Sequence, residues 1–272
     1  MNPLLLADYY KTEHFKMYPQ NMTKLYSNFT PRKSRMKGVD EVVVFGIQHF
    51  ILEYLIKQFN DNFFYTNHDG GRENYHKERV ITEYKKYCNV DTKHIEDLWD
   101  LGYLPIEIKA LGEGTLCPIG VPMLTITNTH PDFAWLVNYL ETLISCSLWQ
   151  PITSATIAYE YKKILNKYAL ETTGSTEGVQ WQGHDFSMRG MSSVESSILS
   201  GMGHLLSFTG TDTIPAIYTL ERSYNASGLI GASVPASEHS VACMCISEGN
   251  QYSQVEEEFD EKSETWKVIK YF

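Results

Sequence analysis

The sequence lacks an excess of positive charge. Its 23 Lys and Arg residues are outnumbered by 33 Asp and Glu residues, for a formal net charge of −10. A general nucleic-acid binder needs a basic surface that displaces counterions from the phosphate backbone, so the composition argues against that class. A local basic pocket for a phosphorylated small molecule is still compatible with it. We therefore expect small-molecule ligands and no nucleic acid.

The sequence also lacks a long apolar run. No stretch approaches the roughly 20 apolar residues of a membrane span. The apolar run at residues 4–6 is too short for a signal peptide and has no basic flank. Cysteine is scarce as well, with 5 residues at no framework spacing, and an odd, unpatterned set is typical of reduced thiols. We expect a cytoplasmic protein that does not bind a membrane.

Dedicated phosphate and metal motifs are missing too. The sequence has no glycine-rich phosphate loop and no metal-binding helix motif. The segment C-M-C at 243–245 has no second cysteine or histidine pair at zinc-site spacing, so we interpret the cysteines as small buried apolar residues and expect no metal site. The basic residues Arg32, Lys33, Arg35 and Lys37 form either a solvated loop or a grip for phosphate, for which arginine is the better bidentate partner. The sequence leaves both interpretations open.

The front of the chain is dominated by short apolar segments. A continuous apolar run at 42–45 predicts a buried strand, and the segments at 104–110 and 123–127 predict two more. The first of these leads through Gly46 into a predicted helix, whose apolar residues fall on one stripe. We therefore predict a β-rich N-terminal domain over residues 1–120.

The pattern changes near Trp135, where helical stripes begin. From there short strands, one of them predicted at 178–182, alternate with helices, which favours parallel β/α units. Gly201 and Gly203 lie inside one predicted helix and indicate that another backbone packs closely there. We predict an α/β fold in which residues 121–272 form the first part of an α/β barrel.

The C-terminal stretch carries two further helix predictions. Residues 255–262 are rich in glutamate and are most simply a solvated helix face. Residues 265–272 predict an amphipathic helix whose stripe of Trp266, Ile269 and Phe272 has nothing after it to cover it. By then only about three or four β/α units have formed, fewer than a closed barrel requires. We therefore expect that the barrel is incomplete in this sequence.

Three polar clusters follow predicted strands of this second part. They lie at 184–190, 210–213 and 233–240. Successive β/α units direct the carboxyl ends of their strands to one face, so we expect the clusters to converge on one ligand. His184 and Asp185 also form an acid–imidazole pair, although adjacent residues usually point in different directions. Together the clusters supply an aromatic ring, an arginine, carboxylates and imidazoles, which suit a flat ring with polar edges and phosphate chemistry.

Single residues of these clusters have both structural and functional interpretations. Phe186 is either a core aromatic or, with Arg189 beside it, a platform for a polar ring. Asp212 either caps the next helix or accepts a hydrogen bond from an amide. His239 is either a surface histidine or a functional one oriented by Glu238. The residues alone do not decide between these interpretations.

The order of the segments resembles the nicotinamide phosphoribosyltransferase family from near Leu5 to about Ser240. The matching stretches are D-Y-Y-K at 8–11 with Tyr18-Pro19, residues 104–110, Glu141-Thr142, P-I-T at 151–153 with Ala155-Thr156, K-K-I-L at 162–165, and the three polar clusters. The resemblance implies a type II phosphoribosyltransferase, in which a β domain is joined to an α/β barrel and the extreme N-terminus packs near the barrel. It also implies a head-to-tail homodimer with shared active sites.

The resemblance carries residue roles with it. It implies that Phe186 and Tyr10, the latter from the partner subunit, sandwich the nicotinamide ring while Asp212 bonds its amide. It also implies that Arg189 lies at the ring edge and near phosphate, and that Arg32 contacts phosphate across the dimer. Ser233 and Val234 are implied to line the pocket. His239 is implied to be the histidine that is transiently phosphorylated when ATP hydrolysis is coupled to synthesis. The cofactor implied is Mg²⁺ bound with phosphoribosyl pyrophosphate, with ATP as the coupling substrate.

The implied activity forms nicotinamide mononucleotide and pyrophosphate from nicotinamide and phosphoribosyl pyrophosphate in NAD salvage. Ser187 and Met188 stand where the family has glycine and an aromatic residue, which keeps a nicotinate phosphoribosyltransferase open as an alternative. The sequence spans only the first half or so of the family's length, and the later phosphate-binding segments are absent from it. A third hypothesis is therefore a non-catalytic remnant, or half of a split enzyme, that binds a partner through the 265–272 stripe.

Overall fold

The computed structural model describes residues 1–67, 70–247, 255–260 and 265–271, with the side chains described up to residue 246. The chain divides into two compact units, Met1–Ala232 and Ser233–Phe272. The domain boundary expected between residues 120 and 121 stays a prediction.

Helices make up most of the first unit. They are α1 (Ile47–Phe50), α2 (Asn74–Cys88), α3 (Lys93–Leu101), α4 (Trp135–Tyr139), α5 (Glu141–Thr173), α6 (Ser187–Gly190), α7 (Val194–His204) and α8 (Ile214–Tyr224). Two π-helical segments, Ile51–Gln58 and Asn60–Phe64, continue α1, and short 3-10 helices cover Pro3–Leu5, Tyr9–Lys16, Pro131–Phe133 and Val179–Trp181. The helix predicted directly after Gly46 is confirmed as α1, with Gly46 in the N-cap position.

Short strands form the sheets of the first unit. They are β1 (Tyr26–Phe29), β2 (Glu41–Val43), β3 (Ile106–Ala110), β4 (Leu116–Pro118), β5 (Leu124–Asn128), β6 (His184–Asp185) and β7 (Gly210–Thr211). An antiparallel sheet has the order β1-β5-β3, β2 pairs with β4 antiparallel, and β6 pairs with β7 parallel. The predicted strands near 42–45, 104–110 and 123–127 are thus confirmed as β2, β3 and β5. The strand predicted at 178–182 is wrong: that segment is mostly 3-10 helix, and β6 begins at His184.

Alternating burial explains the antiparallel sheet. In β5 the side chains of Leu124 and Ile126 are buried while Thr125 and Thr127 are partly exposed, as the two-residue period of a strand requires. The buried face joins a core that includes fully buried aromatic rings such as Phe63. This apolar burial is the main source of stability in the front of the chain.

The N-terminal segment is fastened to α4 and α5 by polar contacts. The hydroxyl of Tyr139 donates to the carbonyl of Leu4 at 2.6 Å and lies 2.9 Å from the hydroxyl of Tyr84. Burial raises the pKa of both tyrosines, so both hydroxyls stay protonated. The buried amine of Lys11 pairs with Glu141. These contacts fix the helical turn that carries Tyr10.

Helices α5, α7 and α8 pack closely around two glycines. A Cβ at Gly203 would lie 2.7 Å from the carbonyl oxygen of Pro151 on α5, and a Cβ at Gly201 would lie 2.9 Å from the Cβ of Ala216 on α8. No larger residue fits at either position without a backbone shift. The close approach indicated by Gly201 and Gly203 is therefore confirmed, and it sets α7 against α5 and α8.

The second unit differs from the helices expected for it. After α9 (His239–Ser247) it has two strands, β8 (Val255–Asp260) and β9 (Thr265–Tyr271), paired antiparallel. The helices predicted at 255–262 and 265–272 are therefore wrong where β8 and β9 lie. Trp266 and Ile269 of the predicted stripe lie on β9 and have no helical spacing there. Phe272 lies outside the described residues. The register of β8 and β9 places glutamates opposite lysines, such as Glu258 opposite Lys267.

The cysteines are only partly as expected. Cys88 and Cys117 are buried, but Cys146, Cys243 and Cys245 are exposed, so the interpretation as buried apolar residues is wrong for these three. Within the parts of the chain that the structure describes, no group of three His, Cys, Asp or Glu side chains is placed to hold a metal ion. No helix among the described residues is long and apolar enough to cross a membrane.

Candidate active site

Two of the three polar clusters meet at the ends of adjacent parallel strands. His184 pairs with Gly210 and Asp185 with Thr211, and the amide of Asp212 donates to the carbonyl of Asp185 at 2.9 Å. Ala232 forms a further parallel bridge to Gly210. The residues that follow β6 and β7 therefore leave the same edge side by side, as parallel strands in a β/α arrangement require.

Asp212 is not the cap of α8. The residue in the cap position is Thr213, and the Asp212 carboxylate instead pairs with His184, whose Nε2 lies 3.1 Å from Oδ2. The imidazole side chain is 19% exposed and the carboxylate side chain 39%. The structural interpretation of Asp212 as a helix cap is thus wrong. Its carboxylate lies at the strand edge, where a ligand can reach it.

Asp185 points the opposite way and is buried. Its Oδ1 accepts from the amide of Ser187 at 3.0 Å and from the hydroxyl of the same residue, while Oδ2 accepts from the hydroxyl of Thr211 at 2.9 Å. Burial alone would raise the pKa of this carboxyl, but hydrogen bonds from Ser187, Thr213 and Thr211 hold it below its ordinary value. Asp185 is therefore an anionic acceptor that ties the turn after β6 to the turn after β7.

Further hydrogen bonds hold the turns after β6 and β7 in place. The hydroxyl of Thr213 accepts from the amide of Met188 at 3.1 Å, and the hydroxyl of Ser187 lies 2.9 Å from that of Ser200 on α7. Most of these atoms are buried, where an unpaired polar group would be costly. The hydrogen bonds thus fix the separation between the platform after β6 and the carboxylate after β7.

The platform is formed by an exposed aromatic ring. Phe186 is 54% exposed, which rules out the interpretation as a core residue, and its ring centroid lies 5.1 Å from that of His184. Arg189 lies on α6 and is also exposed, as is Met188. An exposed ring with a guanidinium on the next helical turn is suited to a flat polar ligand.

A cavity of about 610 Å³ opens beside this ring. Its walls come from α5, from β6 with the turn after it, and from α7 with Phe208, and they include Ile157, Tyr161 and His204. Burial lowers the pKa of His204, whose Nε2 lies 3.1 Å from the carbonyl oxygen of Gly210. The cavity is mostly apolar with a few polar groups, the usual character of a small-molecule site.

The residues assigned to phosphate and to ring stacking lie elsewhere in the first unit. Tyr10 is 59% exposed and makes an edge contact with His14. Arg32 lines a separate cavity of about 460 Å³ together with Asn28 and Glu141. Neither residue lines the cavity beside Phe186. That both residues reach a site shared with Phe186 from a second copy of the chain, as the resemblance implies, stays a prediction.

The remaining assigned residues belong to the second unit. Ser233 and Val234 are exposed, and His239 is the exposed first residue of α9. The carboxylate of Glu238 accepts a hydrogen bond from the hydroxyl of Ser240. Glu238 is the acid expected to orient His239, so one of its oxygens is already bonded to another side chain. The roles of all three residues stay predictions.

Two contacts of the site were not expected from the sequence. The pairing of His184 with Asp212 depends on the register between β6 and β7, and the bonds of Asp185 depend on which face of β6 is buried. The only available signal was the alternation of a strand, which sends adjacent His184 and Asp185 to opposite sides. With two residues in each strand, that signal predicts that the two side chains diverge but not which partner either one meets.

Two family models match the chain. The model of the nicotinamide phosphoribosyltransferase N-terminal domain matches residues 2–108, and the model of the nicotinate phosphoribosyltransferase (NAPRTase) family matches residues 181–271. The solved structure of human nicotinic acid phosphoribosyltransferase superimposes with a TM-score of 0.51 at 17% identity, covering 85% of this chain and 39% of that one. The fold is thus that of a type II phosphoribosyltransferase with an incomplete barrel, as predicted.

Curated relatives show which family of phosphoribosyltransferases the chain matches. A nicotinamide phosphoribosyltransferase of Acinetobacter baylyi is 47% identical over 90% of this chain and 49% of the relative. One of Mycoplasma pneumoniae is 33% identical over 96% of this chain and 58% of the relative. The chain belongs to the nicotinamide phosphoribosyltransferase family, as the motif order predicted. It spans about half the length of the curated relatives it matches.

Proposed function

We propose that the protein carrying this chain transfers the phosphoribosyl group of phosphoribosyl pyrophosphate to the ring nitrogen of nicotinamide. The bond between the anomeric carbon and the pyrophosphate oxygen breaks, a bond from that carbon to the nitrogen forms, and pyrophosphate leaves. The products are nicotinamide mononucleotide and pyrophosphate, as in NAD salvage. The observation that carries the proposal is the accessible carboxylate of Asp212, which directly follows β7. β7 pairs with β6, and the exposed ring of Phe186 directly follows β6.

The site chemistry supports this choice of substrate. Nicotinamide has a flat ring for Phe186 and an amide NH₂ that can donate to Asp212. Transfer passes through a cationic, oxocarbenium-like sugar, so the enzyme needs mainly to hold the ring nitrogen near the anomeric carbon and to stabilise the departing pyrophosphate. We assign Arg189 to the ring edge and to phosphate, and we assign Tyr10 of a partner subunit to the second face of the ring.

The other roles rest on the family resemblance. We assign Arg32 to a phosphate contact across a homodimer, Ser233 and Val234 to the pocket lining, and His239 to transient phosphorylation when ATP is consumed. The Mg²⁺ in this proposal is bound with phosphoribosyl pyrophosphate, as the resemblance implies, and no step is derived through it. The proposed location is the cytoplasm.

A nicotinate phosphoribosyltransferase is the second candidate. The match of residues 181–271 to the nicotinate family model favours it, as do Ser187 and Met188. The carboxylate of Asp212 opposes it, since nicotinate would bring a second negative charge and like charges in contact cost several kcal/mol. A non-catalytic binding subunit is the third candidate.

The test is an assay of the complete protein that carries this chain, given phosphoribosyl pyrophosphate with each base in turn. We expect nicotinamide mononucleotide to form with a kcat/KM at least tenfold above that for nicotinate. A preference for nicotinate would overturn the role of Asp212 in favour of the second candidate. If the protein turned over neither base, the third candidate, a non-catalytic binding subunit, would replace the proposed function.

A further inference from the structure

We propose that His184 is a positioning residue that fixes the carboxylate of Asp212 and thereby sets the choice between a carboxamide and a carboxylate base. The inference rests on the proposed function and deepens it. His184 was not among the residues assigned to the site. Its role would be exerted through Asp212 and not through contact with the reacting atoms.

The pairing geometry brings these two side chains together. His184 lies on β6 beside Gly210 of β7, and Asp212 is the residue directly after β7. Nε2 of the imidazole lies 3.1 Å from Oδ2 of the carboxylate. The pair thus bridges the ends of the two strands from which the platform and the carboxylate project.

The imidazole ring is itself held in place on two sides. A Cβ at Gly210 would lie only 2.7 Å from Nδ1 of His184, so the Nδ1 edge rests directly on the β7 backbone. The ring centroid lies 5.1 Å from that of Phe186. With those two contacts, rotation of the ring is restricted, and Nε2 stays directed at Asp212.

The chemistry of the pair follows from its hydrogen bonding. An ionised carboxylate can only accept, so Nε2 carries the hydrogen and donates it to Oδ2. A donor at Oδ2 fixes the plane of the carboxylate, which presents an acceptor to an incoming amide NH₂. A neutral imidazole leaves one net negative charge on the pair, which would still repel nicotinate.

The experiment measures kcat and KM for both bases in the complete protein, its His184→Ala and His184→Gln variants, and a His130→Ala control. His130 lies in the turn after β5 and contacts Phe133. We expect His184→Ala to raise KM for nicotinamide about tenfold with kcat changed less than about twofold, and to lower the nicotinamide-to-nicotinate ratio of kcat/KM about tenfold. That factor equals about 1.4 kcal/mol, close to the lower end of the range of about 1.5–3 kcal/mol for a hydrogen bond to a charged group.

The glutamine variant separates positioning from mere packing. Its side-chain amide can donate to Asp212, so it should restore most of the ratio, and the His130 control should match the wild type. Equal loss in the alanine and glutamine variants, or an unchanged ratio in the alanine variant, would overturn the inference while the proposed function stands. A wild type that turns over neither base would instead overturn the proposed function.

A second readout needs no substitution and no activity. Nitrogen-15 NMR of the histidine side chains reports which ring nitrogen carries the hydrogen. We expect His184 to carry it on Nε2 in the wild type and to lose that preference in Asp212→Ala. A hydrogen on Nδ1 of the wild-type neutral ring would contradict the inference whatever the kinetics show.

Discussion

The antiparallel β1-β5-β3 sheet and the parallel β6-β7 pair obtain their rigidity from different interactions. The antiparallel sheet buries alternate apolar side chains against a core of aromatic rings. The parallel pair is fixed instead by buried hydrogen bonds to the carboxylate of Asp185. A core based on apolar burial tolerates changes in polar groups, whereas a polar cluster loses its geometry when one partner goes. We therefore expect core substitutions to reduce stability and substitutions around Asp185 to reduce activity.

The largest effect should come from the aromatic core. Phe63 is fully buried and lies in an edge contact with Phe64, with ring centroids 4.8 Å apart. Phe63→Ala removes this burial and leaves a cavity, so it should lower the free energy of unfolding by about 3–5 kcal/mol. Denaturant unfolding monitored by fluorescence measures the change. Tyr103→Ala is the control, since Tyr103 is exposed, and an equal loss in both variants would contradict the comparison.

A pH-dependent effect should arise where the N-terminal segment meets the front of the chain. His94 stacks on Phe15 at 3.7 Å, and neither ring nitrogen has a hydrogen-bond partner. Burial, with a smaller effect of Lys16, lowers the pKa of His94 to about 4. The unfolded chain therefore takes up this proton first, and the stabilisation that is present above about pH 6.5 is lost as the pH falls toward 4.

That loss should be about 3 kcal/mol, because each unit of pKa difference is worth about 1.4 kcal/mol. Urea unfolding at several values between pH 7 and 4 would show it. His94→Phe should flatten the profile in this range by about that amount, while His130→Gln should not. If the free energy of unfolding fell equally with pH in the wild type and in His94→Phe, burial of this imidazole would not be the cause of the pH dependence.

A smaller stability effect with a larger functional one is expected at Asp185. Asp185→Asn keeps the side-chain size but replaces one accepting carboxylate oxygen with an NH₂ donor. That donor would face N–H or O–H groups that donate to the carboxylate in the wild type. The free energy of unfolding should fall by about 1–3 kcal/mol, and KM should rise for both bases, since Phe186 and Asp212 both shift. Asp132→Asn, at an exposed carboxylate, is the matched control. Wild-type KM values in Asp185→Asn would mean that this hydrogen bonding does not position the site.

The difference between the two regions also explains what the sequence could predict. In β3 and β5 the alternation extends over five residues, long enough to predict a strand and its buried face. In β6 and β7 it extends over only two, which is too short to show that the first strand begins at His184 and not at residue 178. That the polar clusters follow strands could be inferred, but the bond between His184 and Asp212 depends on a register that no local pattern carries.

The C-terminal hairpin was misassigned for a related reason. In β9 the apolar residues Trp266, Val268, Ile269 and Tyr271 fit either a helical stripe or a strand, and a short apolar run cannot distinguish the two. The pairing partner decides, and β8 supplies it. The exposed cysteines were misassigned because burial is a property of the whole fold and not of the residue type.

The central claim is that Asp212 selects a carboxamide while Phe186 holds the ring of either base. The most direct test compares kcat/KM for nicotinamide and nicotinate in the complete wild-type protein, Asp212→Asn and Phe186→Ala. Asp212→Asn should lower nicotinamide use ten- to a hundredfold, matching about 1.5–3 kcal/mol for a hydrogen bond to a charged group, and should reduce the penalty against nicotinate. Phe186→Ala should weaken both bases alike, because stacking of about 0.5–1.5 kcal/mol reads the ring and not its substituent. A ratio that Asp212→Asn leaves unchanged would contradict the claim.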